Sequence, residues 1–600
     1  TETNSSEARK PIRGKVTDGK GPLPGVSVKI DGTNTVTTTD ANGNFSLNLT
    51  PGTYLILFTY VGYESKRIEK VVTDGNDSDI SIVLNPAIAQ LQEAVVVGYS
   101  TKKASEITGA LQTFSAKQLE GVTSNSVIAL LKGKVAGMYI TEPSGDPNSK
   151  PSLVVRGQGT LPIQGSTTGR VTNNLNPLVV VDGIIYADVA NPTDIISTTD
   201  IESITLLKDA ASTAIYGSRA SQGVLVITSK KGVAGVTKLD VNSTIGISQR
   251  YDGKLEFMNS HELYDYQRKM LLNSFKIKNE GLTEEAYLNR YLPNTSVLDI
   301  YTNWNDQLYR DATNKAVNVS LSGGTDKTRY YFGASRFDEK GPLKGNDLLR
   351  NSLKLNLDHN ITNKLSISAN INTIFDKGNR SPISGINPLY LLPWFTMYNE
   401  DGTPKKILGA DVLSNTYQNP VYDLPFNSNI TKSQQLVGVF SAKYKVFDWL
   451  TLSSNNSYNT SFTNTDNYED RLSLTGAGDK GRLSQRRTSS NSFMTSNLIT
   501  GRKQFGLHTV GGLGGFEYNQ NNSEYNSLAV KNMPTGVKVP SAASEVWNTG
   551  GKSFSGERFT RASYSLFTEG NYSYDDRYFA NASYRMDYST NFGIDNRAGH

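Results

Sequence analysis

The chain has 600 residues, a net charge of +5 and no cysteine. That length calls for several domains. The lack of cysteine rules out disulfides and thiolate chemistry, and the interspersed charges lack the concentrated basic footprint of a nucleic-acid binder. Four histidines, His261, His359, His508 and His600, are scattered at no metal-ligand spacing, so neither a metal site nor a cofactor is expected. Apolar residues make up 37% of the chain, and no apolar run approaches the about 20 residues of a spanning helix. A transmembrane β-barrel stays open, because its strands need only about 10 residues of alternating character. The first residues carry no signal peptide, which fits either a cytosolic protein or a processed secreted one.

Residues 1–10 are polar and predicted to be disordered. Over residues 11–85, Ile12, Val16, Val26, Val28 and Ile30 alternate as in strands, with turns at Asp40-Ala41-Asn42-Gly43-Asn44 and Pro51-Gly52. Strands without a helix at this length predict a small β-sandwich. Gly14-Lys15-Val16-Thr17-Asp18, Leu23-Pro24-Gly25-Val26, Thr39-Asp40-Ala41-Asn42-Gly43 and Tyr60-Val61-Gly62-Tyr63 resemble the carboxypeptidase-regulatory-like domain across the whole segment. Residues 86–100 form a joint containing Glu93, Ala94, Val95, Val96 and Val97.

Residues 101–232 mix helix and strand as a compact α+β domain. Ser124 is a candidate N-cap for a helix over Ser126-Val127-Ile128-Ala129-Leu130-Leu131. Leu178 to Val181, Ile201 to Lys208 and Gly223 to Thr228 are predicted strands, and Asp209 opens a small-residue helix. Asp182 and Gly183 are expected to close a turn. Arg156, beside Gly157, is expected to pair structurally, and Lys208 and Asp209 to join an internal charge network.

Residues 233–600 alternate over long stretches. Leu353, Leu355 and Leu357 interleave with Lys354, Asn356 and Asp358, and Leu365 to Asn372 repeats the pattern. Period two sends the two sets to opposite faces, one apolar and one able to line water. A soluble antiparallel sheet alternates in the same way, but strands longer than the usual about 5–6 residues favour a membrane barrel. Gly323-Gly324-Thr325-Asp326 and Asp448-Trp449 are predicted tight turns. Residues 378–431 and 520–557 are predicted long polar loops, and 254–312 a partly helical excursion. Trp304 and Trp394 are candidate stacking platforms or interface anchors, and Trp449, beside a turn, a candidate anchor. Roughly eleven strands are expected from 236 to 590, half of the 22 of a plugged outer-membrane transporter. The sequence is therefore expected to be part of a longer chain.

The middle domain carries the most specific resemblance. Ala129-Leu130-Leu131-Lys132-Gly133-Lys134-Val135-Ala136-Gly137, Val155-Arg156-Gly157, Asn176 to Gly183, Ile201 to Ala210, Ala214 to Ala220 and Thr228-Ser229-Lys230-Lys231-Gly232 are similar to the plug of SusC-like TonB-dependent transporters of Bacteroidetes. Tyr574 to Tyr578 and Arg585 to Ser589 resemble that family's barrel strands. The resemblance implies a mainly β protein: an N-terminal β-sandwich (11–85), a linker with a TonB box (86–100), an α+β plug (101–232) and the first half of a 22-stranded transmembrane β-barrel (233–600). It further implies TonB-dependent import of oligosaccharides or oligopeptides across the outer membrane, with the sandwich and plug on the periplasmic side. The implied partners are a SusD-like surface lipoprotein, TonB energised by ExbB and ExbD, outer-membrane lipid and a higher-order assembly of two such pairs. Glu93 to Val97 would be the TonB box, since strand addition asks for β-branched residues in an exposed joint.

No enzyme signature is present. Gly511-Gly512-Leu513-Gly514-Gly515 lacks the Lys-Ser/Thr of a phosphate loop, and no GxSxG elbow occurs. A TonB-dependent siderophore or cobalamin receptor is the nearest rival reading. An outer-membrane adhesin and a soluble β-rich enzyme lie further off, because neither accounts for the plug motifs.

Overall fold

In the computed structural model the described residues are 10–18, 21–30, 33, 35–60, 63, 66–73, 79–84, 94–97, 100–103, 111–119, 124, 126–142, 144–155, 176–186, 191–250, 256–278, 281–383, 390–411, 415–546, 554–575, 577–590 and 598–599. The chain divides into two units, residues 1–95 with 102–105, and residues 96–101 with 106–600.

The first unit is a small sandwich-like pair of sheets. One sheet orders Asn44–Leu49, Lys10–Thr17 and Ile80–Val83; the other orders Val36–Thr38, Ser27–Ile30, Gly52–Thr59 and Lys66–Val72. Alternation drives the pairing: Ile12, Val16, Val28, Ile30, Phe45, Leu47, Ile56 and Phe58 all point into one core. Phe45 from one sheet meets Phe58 from the other edge-on, with ring centroids 5.4 Å apart. The predicted turn at Asp40 forms as an Asx turn, its carboxylate accepting from the amides of Asn42 (2.9 Å) and Asn44 (2.8 Å). The Asn44 amide in particular holds that carboxyl below the usual aspartate range.

In the second unit, a five-stranded sheet orders Leu111–Ser115, Ile201–Leu207, Val224–Ser229, Leu178–Val181 and Ile184–Tyr186. Leu178–Val181 and Val224–Ser229, in the middle of the sheet, are almost wholly buried on both faces, the pattern of central strands. Asp182 (φ 50) and Gly183 (φ 85) make the reversal between Leu178–Val181 and Ile184–Tyr186. The helix expected after Ser124 is only a 3₁₀ turn, Ala129–Leu131. Ser124 and Ser126 do cap locally, accepting from the amides of Ser126 and Ala129. Gly133 (φ 73) and Gly137 (φ 74) then turn the chain before a full helical turn can propagate.

The rest of this unit is one antiparallel wall. Its long strands, among the described residues, are Gly235–Ser248 (β1), Ala312–Gly324 (β2), Thr328–Lys340 (β3), Asp347–Asn360 (β4), Leu365–Arg380 (β5), Ser428–Phe447 (β6), Leu450–Glu469 (β7), Arg482–Phe505 (β8), His508–Lys531 (β9), Phe554–Tyr574 (β10) and Tyr578–Ser589 (β11). Each pairs with its sequence neighbours, and Glu545–Val546 and Ala598–Gly599 add short pairings to β9 and β11. Tight turns join the strands at one end, including Thr325–Lys327 and Asp448-Trp449, and long connections lie at the other. The excursion after β1 is helical, with Ser260–Lys278 and Glu284–Tyr291 packed through Leu271 and Tyr287.

The wall inverts the usual burial rule. On β4, Leu353, Leu355 and Leu357 are 46%, 42% and 41% exposed, while Ser352, Lys354 and Asn356 are 1%, 4% and 1% exposed. A soluble sheet with one wet face would bury the leucines. An apolar face turned outward and a polar face turned inward is the arrangement of a wall that meets lipid outside. At the tight-turn end Phe447 and Trp449 stack outside the wall (5.6 Å, 9° between planes), with the Lys503 ammonium 5.9 Å from the Trp449 ring centroid. Exposed aromatic and basic side chains gathered at one end of a wall are what an aromatic belt at a membrane interface consists of.

The structure departs from the sequence pattern at two further places. Residues 520–557 are not one loop: β9 runs to Lys531 and β10 starts at Phe554. Apart from Tyr525, residues 520–527 are polar on both faces, so alternation cannot reveal that stretch of β9. Trp304 and Trp394 are neither stacking platforms nor membrane anchors. Both are buried with Phe395 and Leu408 in a core of the long connections, and Trp304 Nε1 donates to the Leu392 carbonyl (2.9 Å).

Candidate functional site

The five-stranded domain sits against the polar face of the wall, and the contact is built from two seats. The first lies on β3 to β5. Tyr331 donates its hydroxyl to Asp200 Oδ1 (2.9 Å), and Asn356 Nδ2 donates to the Lys230 carbonyl (2.6 Å). Asn372 Nδ2 donates to the Ile195 carbonyl. Arg350 forks onto Asp376 through Nε (2.7 Å) and a terminal nitrogen (2.6 Å), and its other terminal nitrogen reaches the Thr193 carbonyl (3.2 Å). Nearer the long-connection end, Asn148 Nδ2 donates to the carbonyls of Asp347 (3.2 Å) and Asn379 (3.0 Å). Three of these, from Asn356, Asn372 and Arg350, are wall side chains gripping plug backbone carbonyls, which fixes position without asking for particular plug side chains. Burial pushes the Asp200 carboxyl up, while Lys354, the Tyr331 hydroxyl and Lys230 pull it down.

The second seat lies on β9 to β11 and is ionic. Arg219 donates to Glu517 Oε1 (2.6 Å), and Arg585 approaches the same oxygen (3.4 Å) while bonding Asp587 Oδ1 (2.7 Å), Ser565 Oγ (2.8 Å) and the Ile215 carbonyl (2.8 Å). Gly217, at φ 74, brings the chain into this cluster. A β-carbon there would run into the Asp587 carboxylate and lie 2.9 Å from Arg585 Nε, so the approach needs glycine on both counts.

The residues singled out in sequence behave unevenly. Asp182 closes its turn and also clamps the neighbouring strand, accepting from the Ser229 amide (2.9 Å) and hydroxyl (2.6 Å). Asp209 does not join an ion-pair network among the described residues. It caps the short helix Ala210–Thr213 through the Ser212 amide (2.9 Å) and hydroxyl (2.8 Å). Lys208 likewise bonds neutral groups, the Ala136 carbonyl (2.9 Å) and Gln112 Oε1 (3.3 Å). Ala94–Val97 is a strand in a two-stranded sheet with Ser100–Lys103. Glu93, Arg156 and Gly157 lie outside the described residues. Sequence reading missed Glu517, Arg350 and Asp200, whose partners are far away in the chain. A charge at a polar-face position of an alternating strand was the one available signal.

Family models agree with this geometry. A CarboxypepD_reg-like domain matches residues 12–96, and a TonB-dependent Receptor Plug Domain matches residues 103–224. The TonB-dependent receptor SusC of Bacteroides thetaiotaomicron is 29% identical over 471 residues, 72% of this chain and 42% of that protein. In sequence the chain is thus similar to the SusC-like TonB-dependent receptors. The TonB-dependent receptor P26 of Formosa agariphila is 29% identical over 549 residues, 89% of this chain and 52% of that one. The chain therefore spans about half the length of the curated relatives it matches. Among solved structures, the RagAB peptide importer in its open-open state superposes with a TM-score of 0.70 at 23% identity, covering 84% of this chain and 57% of that one. The ferric citrate transporter FecA gives a TM-score of 0.50 at 8% identity. Both establish a shared plug-and-barrel fold. The curated relatives are named as TonB-dependent receptors.

Proposed function

We propose that this chain forms the sandwich, the plug and part of the barrel of an outer-membrane importer that takes up oligosaccharides or oligopeptides, driven by TonB and capped by a SusD-like surface lipoprotein. The observation that carries this reading is the polar-in, apolar-out wall seated on a plug domain through β3 to β5 and β9 to β11. A wall of that kind encloses a lumen, and a lumen filled by a separately folded domain needs work to open. Above the plug, the same register sends Gln435, Asn459, Ser461, Ser490, Asn519 and Asn521 inward together. Uncharged hydroxyl and amide groups suit a hydrophilic organic cargo better than a highly charged metal chelate.

TonB would pair with Glu93 to Val97. Among the described residues Ala94–Val97 pairs only with Ser100–Lys103, which leaves it a second edge for strand addition there. The sandwich and plug would face the periplasm, and the long connections the cell surface. Deleting residues 93–97 in the full-length protein should abolish cargo uptake while leaving outer-membrane assembly intact. Uptake at the normal rate in the deletant would refute the assignment. Co-purification of a surface lipoprotein would separate this reading from a siderophore receptor.

A further inference from the structure

A second site of different character lies at the tight-turn end of the wall, where the last plug residues leave for β1. A cavity of about 300 Å³ opens there between Lys231 and strands β3 to β6. Register defines its floor. Arg329, Asp358, Ser368 and Ser441 are direct cross-strand neighbours on four successive strands, and Asn360, Ser366 and Lys443 form the next row toward the turns. Both rows share the parity of Lys354 and Asn356, so they face inward. Lys327 on the adjoining turn and Lys231 from the plug complete the lining.

The charge balance is one-sided. Four cations, Lys231, Lys327, Arg329 and Lys443, meet one lining carboxylate, Asp358. The cavity thus concentrates three net positive charges, in a chain whose 600 residues carry only +5. None of the four forms an ion pair with the described residues, whereas Arg219, Arg350 and Arg585 in the seats each have a carboxylate partner. His359 shares the lining but belongs to the opposite parity, and its Nδ1 is engaged by Thr328 Oγ1 (2.8 Å). Between the cations lie the hydroxyls of Ser366, Ser368 and Ser441, neutral groups that can donate to an oxyanion.

We propose that this cavity is an oxyanion site, taking the carboxylate, sulfate or phosphate group of an anionic cargo molecule as it passes the plug toward the tight-turn end. The assignment to cargo rests on the importer reading above; the binding of an oxyanion does not. Sequence alone hides the site, because Lys231, Arg329 and Lys443 come from three separate segments joined only by strand pairing.

The test uses the full-length protein purified in detergent, titrated calorimetrically with inorganic sulfate, inorganic phosphate, an oligouronate and a neutral oligosaccharide of equal length. Sulfate or phosphate should bind, more weakly as salt rises, and the oligouronate should bind more tightly than either ion and than the neutral oligomer. The double variant Arg329→Gln with Lys443→Gln should lose affinity for the oligouronate by about tenfold or more. Lys432→Gln, on the outward parity of β6, should change nothing, and unaltered thermal unfolding of the double variant would show that its fold is intact. No oxyanion binding to the wild type, or equal binding by the folded double variant, overturns the site. Binding of the inorganic ions without any gain from the oligouronate overturns the assignment to cargo. If the oligouronate binds as expected but cells fail to take it up, the importer reading fails and the oxyanion site stands.

Discussion

Arg219 of the plug and Glu517 of the wall are joined at 2.6 Å although 298 positions separate them in the chain, and the Glu517 side chain is 1% exposed. Removing one member of a buried pair leaves the other charge desolvated and costs about 3–5 kcal/mol. Glu517→Gln is therefore expected to loosen the plug at the β9 to β11 seat without unfolding the wall. Limited proteolysis of the assembled protein should cut the plug faster than in wild type. An unchanged digestion rate would show that the pair does not hold the plug.

Gly217→Ala probes the same seat without removing a charge. The added methyl meets the Asp587 carboxylate in a backbone conformation that alanine resists. Crowding and strain together should cost roughly 1–3 kcal/mol, read as a lower thermal midpoint. Gly183→Ala has positive φ but no atom within 4 Å of the new methyl, so it should show the strain alone and a smaller shift.

Arg350→Lys tests geometry at constant charge. A lysine cannot fork onto Asp376 and also reach the Thr193 carbonyl. Losing hydrogen bonds to a charged group should cost about 1.5–3 kcal/mol, seen as faster amide exchange around 191–197. Equal exchange in both proteins would assign Arg350 to the wall alone.

Asp200 gives the first seat a pH dependence. Its folded pKa is raised, chiefly by burial. Its contribution is thus fully present below the unfolded value of about 3.9 and is lost as pH rises through the folded value. Asp200→Asn keeps an acceptor for the Tyr331 hydroxyl and removes the titration. The variant should show a flatter stability profile from acid to neutral pH than wild type. Parallel profiles would mean that Asp200 does not titrate differently on folding.

Local pattern carried some features into three dimensions unaided. Asp40 to Asn44 had to turn because the Asp40 side chain satisfies two backbone amides within four residues. Leu353 to Asp358 had to present two unlike faces because a strand has period two, and the order sandwich, plug and wall followed from motifs contiguous in the chain. Which wall face meets solvent was not local, since alternation reads alike for a soluble sheet and an inverted one. The tertiary structure decided it by placing Ser352, Lys354 and Asn356 against the plug and leaving the leucines outside. It also decided the partners of Arg219, Arg350 and Asp200, and the gathering of Lys231, Arg329 and Lys443 around one cavity. Charges distant in sequence acquire neighbours only through strand register and domain seating, and neither quantity is written in any single segment of the chain.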